Sequence, residues 1–206
     1  MTTGGRLGAG RRLLAATSNP GKLREIREIL EPLGIEVVSA AEAGWTEEVE
    51  EDGATLAANA IKKAEAGARG TGLAALADDT GLFVEALDGA PGVWSARYGG
   101  PACDAAANRA RLLRELEGVP SERRGAAFRC VVVLAMAGRE PLTFEGECRG
   151  RIVETARGRS GFGYDSLFEV ESTGQTFAEM TAGEKHRVSH RGRALARLRG
   201  FLAGER

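Results

Sequence analysis

Residues 73–83 have the sequence LAALADDTGLF, in which an apolar run is followed at once by two carboxylates, Asp78 and Asp79. The run at 73–77 predicts a short buried strand that ends at the aspartates. Two like charges repel each other, and drying both opposes folding, so the pair needs solvent, a cation or a shared proton. The stretch therefore predicts either a solvated turn or a cation site beyond the carboxyl end of a strand.

The segments around this stretch alternate between strand and helix patterns. Strands are predicted at 12–17, 35–40 and 73–77, and helices at 21–33, 54–69 and 104–119. Two β-rich runs at 126–138 and 141–154 are predicted to pair antiparallel, and a basic amphipathic helix is predicted at 190–202. This order predicts an α/β fold: a single domain with a central mixed, largely parallel sheet flanked by helices.

Composition limits the possible partners. The chain has 206 residues, of which 43% are hydrophobic and 28% charged, and its formal net charge is -1, which gives no bulk attraction to nucleic acid or membrane. The three cysteines lack C-x-x-C spacing and no apolar run is long enough for a signal peptide or a membrane span. We expect a cytoplasmic protein with buried thiols, a disordered tail at residues 1–11 and a folded domain at 12–206.

The segment TSNPGK, residues 17–22, lies where a predicted strand gives way to a helix. Ser18 or Asn19 can cap the helix, and Lys22 adds positive charge at the positive end of the helix dipole, which suits a phosphate group. The spacing is not that of a Walker A loop. Taken alone, the segment slightly favours a plain helix cap with a surface lysine.

A second candidate is the acidic run that ends near Glu51, before a helix on which Asn59 and Lys63 are four residues apart and share a face. A carboxylate there can bind a hard cation while Lys63 faces phosphates. Acidic runs at helix starts are also common as solvated partners of the helix dipole. The run alone therefore does not identify a site.

Phe162 stands between two glycines in SGFGYDSLF, residues 160–168. Such a turning backbone suits an exposed ring that stacks on a nucleobase, and Asp165 can accept hydrogen bonds from base N–H groups. A phenylalanine in an ordinary core is the alternative.

His186 and His190 are four residues apart, which is a spacing used by zinc proteases. Arg187 stands where such a protease has its glutamate, and no third ligand is apparent, so we reject a zinc site. Lys185, His190 and Arg191 instead offer donors for carbonyl oxygens or phosphates.

Taken together in this order, five segments resemble the inosine triphosphate pyrophosphatase family, also called Ham1-like. They are TSNPGK (17–22), EEDGATLAANAIKKA (50–64), ADDTGLFVEALDGAPGVWSARYGG (77–100), GFGYDSLF (161–168) and EKHRVSHRG (184–192). The resemblance runs from about residue 13 to the last helix. It implies an elongated α/β fold, a homodimer, and Mg²⁺-dependent hydrolysis of ITP, dITP and XTP to the monophosphate and pyrophosphate.

The resemblance also implies site residues. It places Glu51 and Asp79 at the metal, with Asp78 beside them, and makes Asp79 the base for the attacking water. The triphosphate is assigned to Thr17, Ser18, Asn19, Pro20, Gly21, Lys22 and Lys63, with Thr80 touching substrate. The base is assigned to a wall made by Phe162, Gly163, Tyr164 and Asp165 and to a polar side made by Lys185, His190 and Arg191.

Two positions depart from the family pattern: Ser166 stands where proline is frequent, and His186 where asparagine or serine is common. Neither replaces a group assigned to chemistry. Two alternatives stay open, a Maf-like pyrophosphatase of pyrimidine or modified nucleotides and a nucleotide-binding regulator without turnover. We expect no stable nucleic acid partner and no membrane partner.

Overall fold

The computed structural model describes residues 12–204. Its strands are β1 (Arg12–Ala15), β2 (Glu36–Ser39), β3 (Ala74–Val84), β4 (Pro91–Gly92), β5 (Gly125–Ala135), β6 (Leu142–Ile152) and β7 (Phe168–Val170). Its α-helices are α1 (Pro20–Leu30), α2 (Leu56–Thr71), α3 (Ala105–Glu115), α4 (Ala182–Val188) and α5 (His190–Ala203). The tail predicted at residues 1–11 lies outside the described residues.

Between residues 12 and 204, the strands form one sheet in the order β2-β1-β3-β5-β6-β7, with β4 beside β3. Strand β1 is parallel to both of its neighbours, β2 and β3. The pairs β3–β4 and β6–β7 are antiparallel. The predicted α/β class with a mixed sheet is confirmed.

The described chain divides into two compact units. The first comprises residues 12–79, 131–145 and 194–204, and the second comprises 80–130 and 146–193. Long strands and α5 pass from one unit into the other, so each unit is built from several separate pieces of chain.

In the first unit, helix α2 packs closely on β1 through small residues. A Cβ on Gly67 would stand 2.7 Å from the Leu14 side chain, and Ala60 and Ala64 on the same helix are fully buried. A larger side chain at Gly67 would have to displace the fully buried Leu14 side chain or the helix itself. This contact sets the distance between α2, which carries Lys63, and the sheet.

The second unit has an aromatic core. The rings of Phe128 and Phe168 lie 4.8 Å apart, and those of Phe168 and Phe177 lie 5.2 Å apart. His190, the first residue of α5, stacks on Phe128 at 4.6 Å with an interplanar angle of 14°. The start of α5 is therefore anchored in the core of this unit.

Strand β3 does not end at the aspartates. It runs from Ala74 to Val84, with Leu82 opposite Gly92 and Phe83 opposite Pro91, so the predicted end of this strand is wrong. After the carboxylates the strand pairs with β4, and Gly81 allows the two segments to lie close together: a Cβ there would stand 2.6 Å from the Gly92 carbonyl oxygen. A solvated turn is excluded, since Asp78 is only 1% exposed and Asp79 6%.

Most other predicted elements are present with shifted ends. Helix α2 extends to residue 71 and α3 ends at residue 115, while β7 and α4, which span three and seven residues, had not been predicted. Elements this short leave too little periodic pattern to be recognised. None of the helices within residues 12–204 is long and apolar enough to cross a membrane.

The cysteines differ in exposure. Cys130 and Cys148 are buried, but Cys103 is exposed, so the prediction of three buried thiols is wrong for Cys103. Burial raises the pKa of the Cys148 thiol to about 11, which leaves little reactive thiolate at pH 8.

We expect iodoacetamide at pH 8 to label Cys103 in the native protein and to label Cys130 and Cys148 only after denaturation. Mass spectrometry of peptides from native and urea-treated samples measures this difference. Labelling of native Cys148 as fast as that of Cys103 would contradict its burial.

Candidate active site

The segment TSNPGK connects β1 to α1, and Asn19 caps the helix. The Asn19 side-chain oxygen accepts hydrogen bonds from the N–H groups of Gly21 (2.9 Å) and Lys22 (3.1 Å), and Asn19 N–H donates to the Thr17 hydroxyl (3.2 Å). Residues 18–20 are exposed. Because the cap occupies two backbone donors, the segment offers a ligand mainly the Lys22 ammonium and the hydroxyls of residues 17 and 18.

Asp78 holds two lysines. Lys22 Nζ lies 3.2 Å from Asp78 Oδ2 and 3.3 Å from the Asp78 carbonyl oxygen. Lys63 Nζ donates to the same carbonyl oxygen at 2.9 Å. The Asp78 carboxylate therefore faces the Lys22 ammonium, and its main chain binds both cations.

Lys63 also joins two further carboxylates, with its Nζ 2.8 Å from Glu51 Oε1 and 3.7 Å from Asp79 Oδ1. Burial, the largest single influence, favours the neutral amine, yet the Asp79, Glu51 and Asp78 carboxylates raise the pKa of Lys63. Burial raises the pKa of Asp79, and Lys63 and Lys22 offset this only in part. The three carboxylates outnumber the two ammonium groups, so this site, here called the acidic cluster, suits a further cation.

Asn59 completes the acidic cluster, although the sequence interpretation gave it no role. It is 1% exposed, its Nδ2 donates to Asp79 Oδ2 (3.2 Å), and its Oδ1 accepts from Gly53 N–H (2.7 Å). A Cβ on Gly53 would stand 2.5 Å from that Oδ1. Asn59 thus orients the Asp79 carboxylate and links it to Gly53, next to the acidic run. The signal available in the sequence was the four-residue spacing between Asn59 and Lys63.

A second site, here called the aromatic cluster, brings together Thr80, Phe162, Asp165, Lys185 and Arg191. Asp165 Oδ2 accepts from Lys185 Nζ and from Phe162 N–H, both at 2.8 Å. Lys185 Nζ lies 4.8 Å from the centroid of the Phe162 ring, and Arg191 Cζ lies 5.7 Å from it. Arg191 also donates to the Thr80 hydroxyl at 3.2 Å. An aromatic face flanked by two cations suits a planar ligand that carries acceptor oxygens.

Two predicted site residues, Tyr164 and His190, are also packed in the core of the second unit. Tyr164 is buried, its hydroxyl donates to the Ser95 carbonyl at 2.8 Å, and burial raises the pKa of Tyr164. His190 is buried against Phe128. Both side chains belong to the core beside the aromatic cluster, and Ser95 is a further partner that sequence patterns did not indicate.

The junction of α4 and α5 places Lys185 and Arg191. A Cβ on Gly192 would stand 1.9 Å from the His186 carbonyl oxygen, so only glycine allows α5 to begin so close to α4. This approach brings the two cations, six residues apart, to the same aromatic ring.

Fold and site together define an α/β protein with a buried acidic cluster held by two lysines and an aromatic cluster flanked by cations. The chain belongs to the Ham1 family, whose profile matches residues 13–201. This confirms the resemblance found in the sequence.

Individual relatives are similar in sequence to this protein over nearly its whole length. It is 53% identical to a dITP/XTP pyrophosphatase of Geobacter sulfurreducens over 191 residues, covering 93% of this chain and 96% of the relative. It is 48% identical to a dITP/XTP pyrophosphatase of Bacillus subtilis, covering 92% and 96%. The structure of a HAM1 protein from Coxiella burnetii superposes with a TM-score of 0.84 at 40% identity, covering 94% and 99%.

Proposed function

We propose that this chain hydrolyses the non-canonical purine nucleoside triphosphates ITP, dITP and XTP to the monophosphate and pyrophosphate, and so removes them from the nucleotide pool. The observation that carries the proposal is the acidic cluster with its two lysines, in a chain 53% identical to a dITP/XTP pyrophosphatase. A triphosphate brings several negative charges, which lysines and a bound cation offset.

We propose Mg²⁺ as the cofactor, held by Glu51 and Asp79. The fit is supported by the approach of both carboxylates to one cation, Lys63 Nζ, and by their excess of negative charge. In the described part of the chain, no three His, Cys, Asp or Glu side chains form a complete metal site. The two carboxylates of Glu51 and Asp79 suit Mg²⁺, which commonly takes one or two carboxylates together with waters and substrate phosphates. When bound, it would neutralise phosphate charge and polarise the phosphorus centre.

In the proposed reaction, the Asp79 carboxylate accepts a proton from the attacking water at Oδ1, while Asn59 holds Oδ2. The water oxygen bonds to the α-phosphorus, and the bond from that phosphorus to the α–β bridging oxygen breaks, which releases pyrophosphate. Lys22 and Lys63 offset the charge of the phosphates, and Asp78 keeps both ammonium groups in place.

The aromatic cluster is assigned to the base. Phe162 would stack on the purine, and donors from Lys185, His190 or Arg191 would meet the 6-oxo group. A 6-amino purine presents a donor group in place of that acceptor oxygen, which disfavours ATP.

Product analysis tests this proposal. We expect incubation with ITP, dITP or XTP and Mg²⁺ to yield the monophosphate and pyrophosphate, at rates well above those with GTP or ATP. Chromatography of the nucleotides and a pyrophosphate assay measure both products, and EDTA should stop the reaction. Release of single phosphate from ITP would contradict the mechanism.

The same assay separates the alternatives. Faster turnover of pyrimidine or modified nucleotides would favour a Maf-like enzyme. Binding of ITP with no hydrolysis in Mg²⁺ would favour a nucleotide-binding regulator.

We also propose a cytoplasmic homodimer with residues 12–206 as its catalytic domain. The free thiols of Cys103, Cys130 and Cys148 suit a reducing compartment, and the family resemblance implies two copies. Light scattering should give twice the mass of one chain, and a monomer mass would contradict the dimer.

A further inference from the structure

The loop at residues 161–165 carries Phe162 and is closed on itself. Gly161 and Gly163 have φ of +79° and +59°, and a Cβ on Gly161 would stand 2.1 Å from the Asp165 carboxylate. Phe162 N–H donates to that carboxylate at 2.8 Å, and Asp165 N–H donates to the Phe162 carbonyl at 3.1 Å. Neither of these two hydrogen bonds uses the Gly163 carbonyl oxygen.

Arg109, on helix α3, binds that oxygen. Its Nη1 donates to the Gly163 carbonyl oxygen at 2.7 Å, and the two residues are 54 positions apart in the sequence. A hydrogen bond from a charged donor is stronger than one from a neutral donor. Here it fixes the plane of the peptide bond between Gly163 and Tyr164, one residue after Phe162.

Helix α3 is itself held firmly in this unit. The neighbouring Asn108 is 4% exposed, donates from Nδ2 to the Ala96 carbonyl at 2.8 Å, and accepts from Gly99 N–H. A Cβ on Gly99 would stand 2.6 Å from the Ala107 carbonyl carbon, so loop and helix are in close contact. The position of the Arg109 guanidinium is therefore set by a docked helix.

The segment at residues 92–95 holds Tyr164, the residue that follows Gly163. Tyr164 donates its hydroxyl to the Ser95 carbonyl, and the Ser95 hydroxyl donates to the Gly92 carbonyl at 2.6 Å. Arg109 and Tyr164 thus anchor consecutive residues of the loop that presents Phe162.

We propose that Arg109 is a positioning residue for base recognition. By holding the Gly163 carbonyl, it keeps the Phe162 ring where Lys185 Nζ lies 4.8 Å from its centroid. The inference rests on the proposed function, because it assigns Phe162 to the purine. Arg109 acts through Gly163, so its loss affects substrates with a base and spares those without one.

The experiment compares wild type, Arg109→Met, Arg109→Lys and Arg109→Gln, with Arg114→Met as a control that removes an exposed arginine from the same helix. Each protein is assayed with ITP and with ribose 5-triphosphate, which lacks a base. We expect Arg109→Met to lower kcat/KM for ITP about tenfold, mainly through KM, and to leave ribose 5-triphosphate unchanged. Arg109→Lys should restore part of the loss, and Arg114→Met should match wild type.

An unchanged kcat/KM for ITP, or an equal loss on both substrates, would overturn the inference, since the second outcome indicates a general effect on folding. If Arg109→Met does not fold, the lysine and glutamine variants decide, because each retains a donor of reduced reach or charge. If wild type itself releases no pyrophosphate from ITP, the proposed function fails. Calorimetric binding of ITP to the same variants then tests Arg109, with about tenfold weaker binding expected for Arg109→Met.

Discussion

We expect Asp79→Asn to lose at least about 100-fold in turnover of ITP while melting at the same or a higher temperature than wild type. The amide oxygen can still accept the hydrogen bond from Asn59 Nδ2, so the local geometry is kept. The amide cannot accept the proton of the attacking water, and it is a poor ligand for Mg²⁺ compared with a carboxylate.

The stability half of this prediction follows from the sign of the pKa change. Burial raises the pKa of Asp79 in the folded protein, so ionisation of this carboxyl in neutral solution opposes folding. A neutral asparagine removes that cost. Activity and stability are therefore expected to move in opposite directions.

Steady-state assays and thermal melting followed by circular dichroism measure the two halves. Asp52→Asn is the matched control: it removes an exposed carboxylate of the same acidic run, paired with Lys62, and should change neither quantity greatly. Near-normal turnover by Asp79→Asn would remove Asp79 from its proposed role as base.

The second large effect is expected for Lys63→Met, which should destabilise the protein by about 3 kcal/mol at pH 7.5 without metal. Its ammonium is buried among the carboxylates of Glu51, Asp78 and Asp79, and the substitution removes this positive charge while Lys22 still faces Asp78. For a chain of this length the change corresponds to roughly 10 °C in melting temperature.

The pH range follows from the direction of the pKa shift. The pKa of Lys63 is raised in the folded protein, so the stabilisation is fully present at neutral pH and is lost only as the pH rises through that raised value. A metal ion between the same carboxylates can replace part of the missing charge. Mg²⁺ should therefore raise the melting temperature of Lys63→Met more than that of wild type.

Lys62→Met is the control, because Lys62 is the preceding residue, is exposed, and pairs with Asp52 at the surface. It should cost no more than about 1 kcal/mol. Turnover by Lys63→Met should fall at least about 100-fold, since its charge also faces the phosphates. A wild-type melting temperature for Lys63→Met would contradict the proposed charge balance.

Local patterns were sufficient for much of the fold. The 3.6-residue spacing of apolar side chains predicted α1, α2 and α5 within a few residues, and the apolar runs predicted β1 and β2. These signals reside in neighbouring residues, so they need no knowledge of distant contacts. The class and the family followed from their order and from five motifs.

The continuation of β3 through Asp78 and Asp79 could not be predicted from local patterns. It depends on pairing with β4, and charged residues in a strand contradict the apolar pattern by which strands are recognised. Burial of the pair is likewise a property of the packed chain, because Lys22 and Lys63 come from two separate helices.

The sequence alone thus determined which residue types are present for the chemistry: the carboxylates, the lysines and the aromatic ring between glycines. The tertiary structure determined which contacts each of these residues makes. Asp78 faces a lysine, Asp79 is oriented by Asn59, and Phe162 is presented by a loop that Arg109 holds from 54 residues away. The physical reason is that hydrogen bonds and ion pairs depend on distances of about 3 Å between atoms, and such distances between remote residues exist only once the chain has packed.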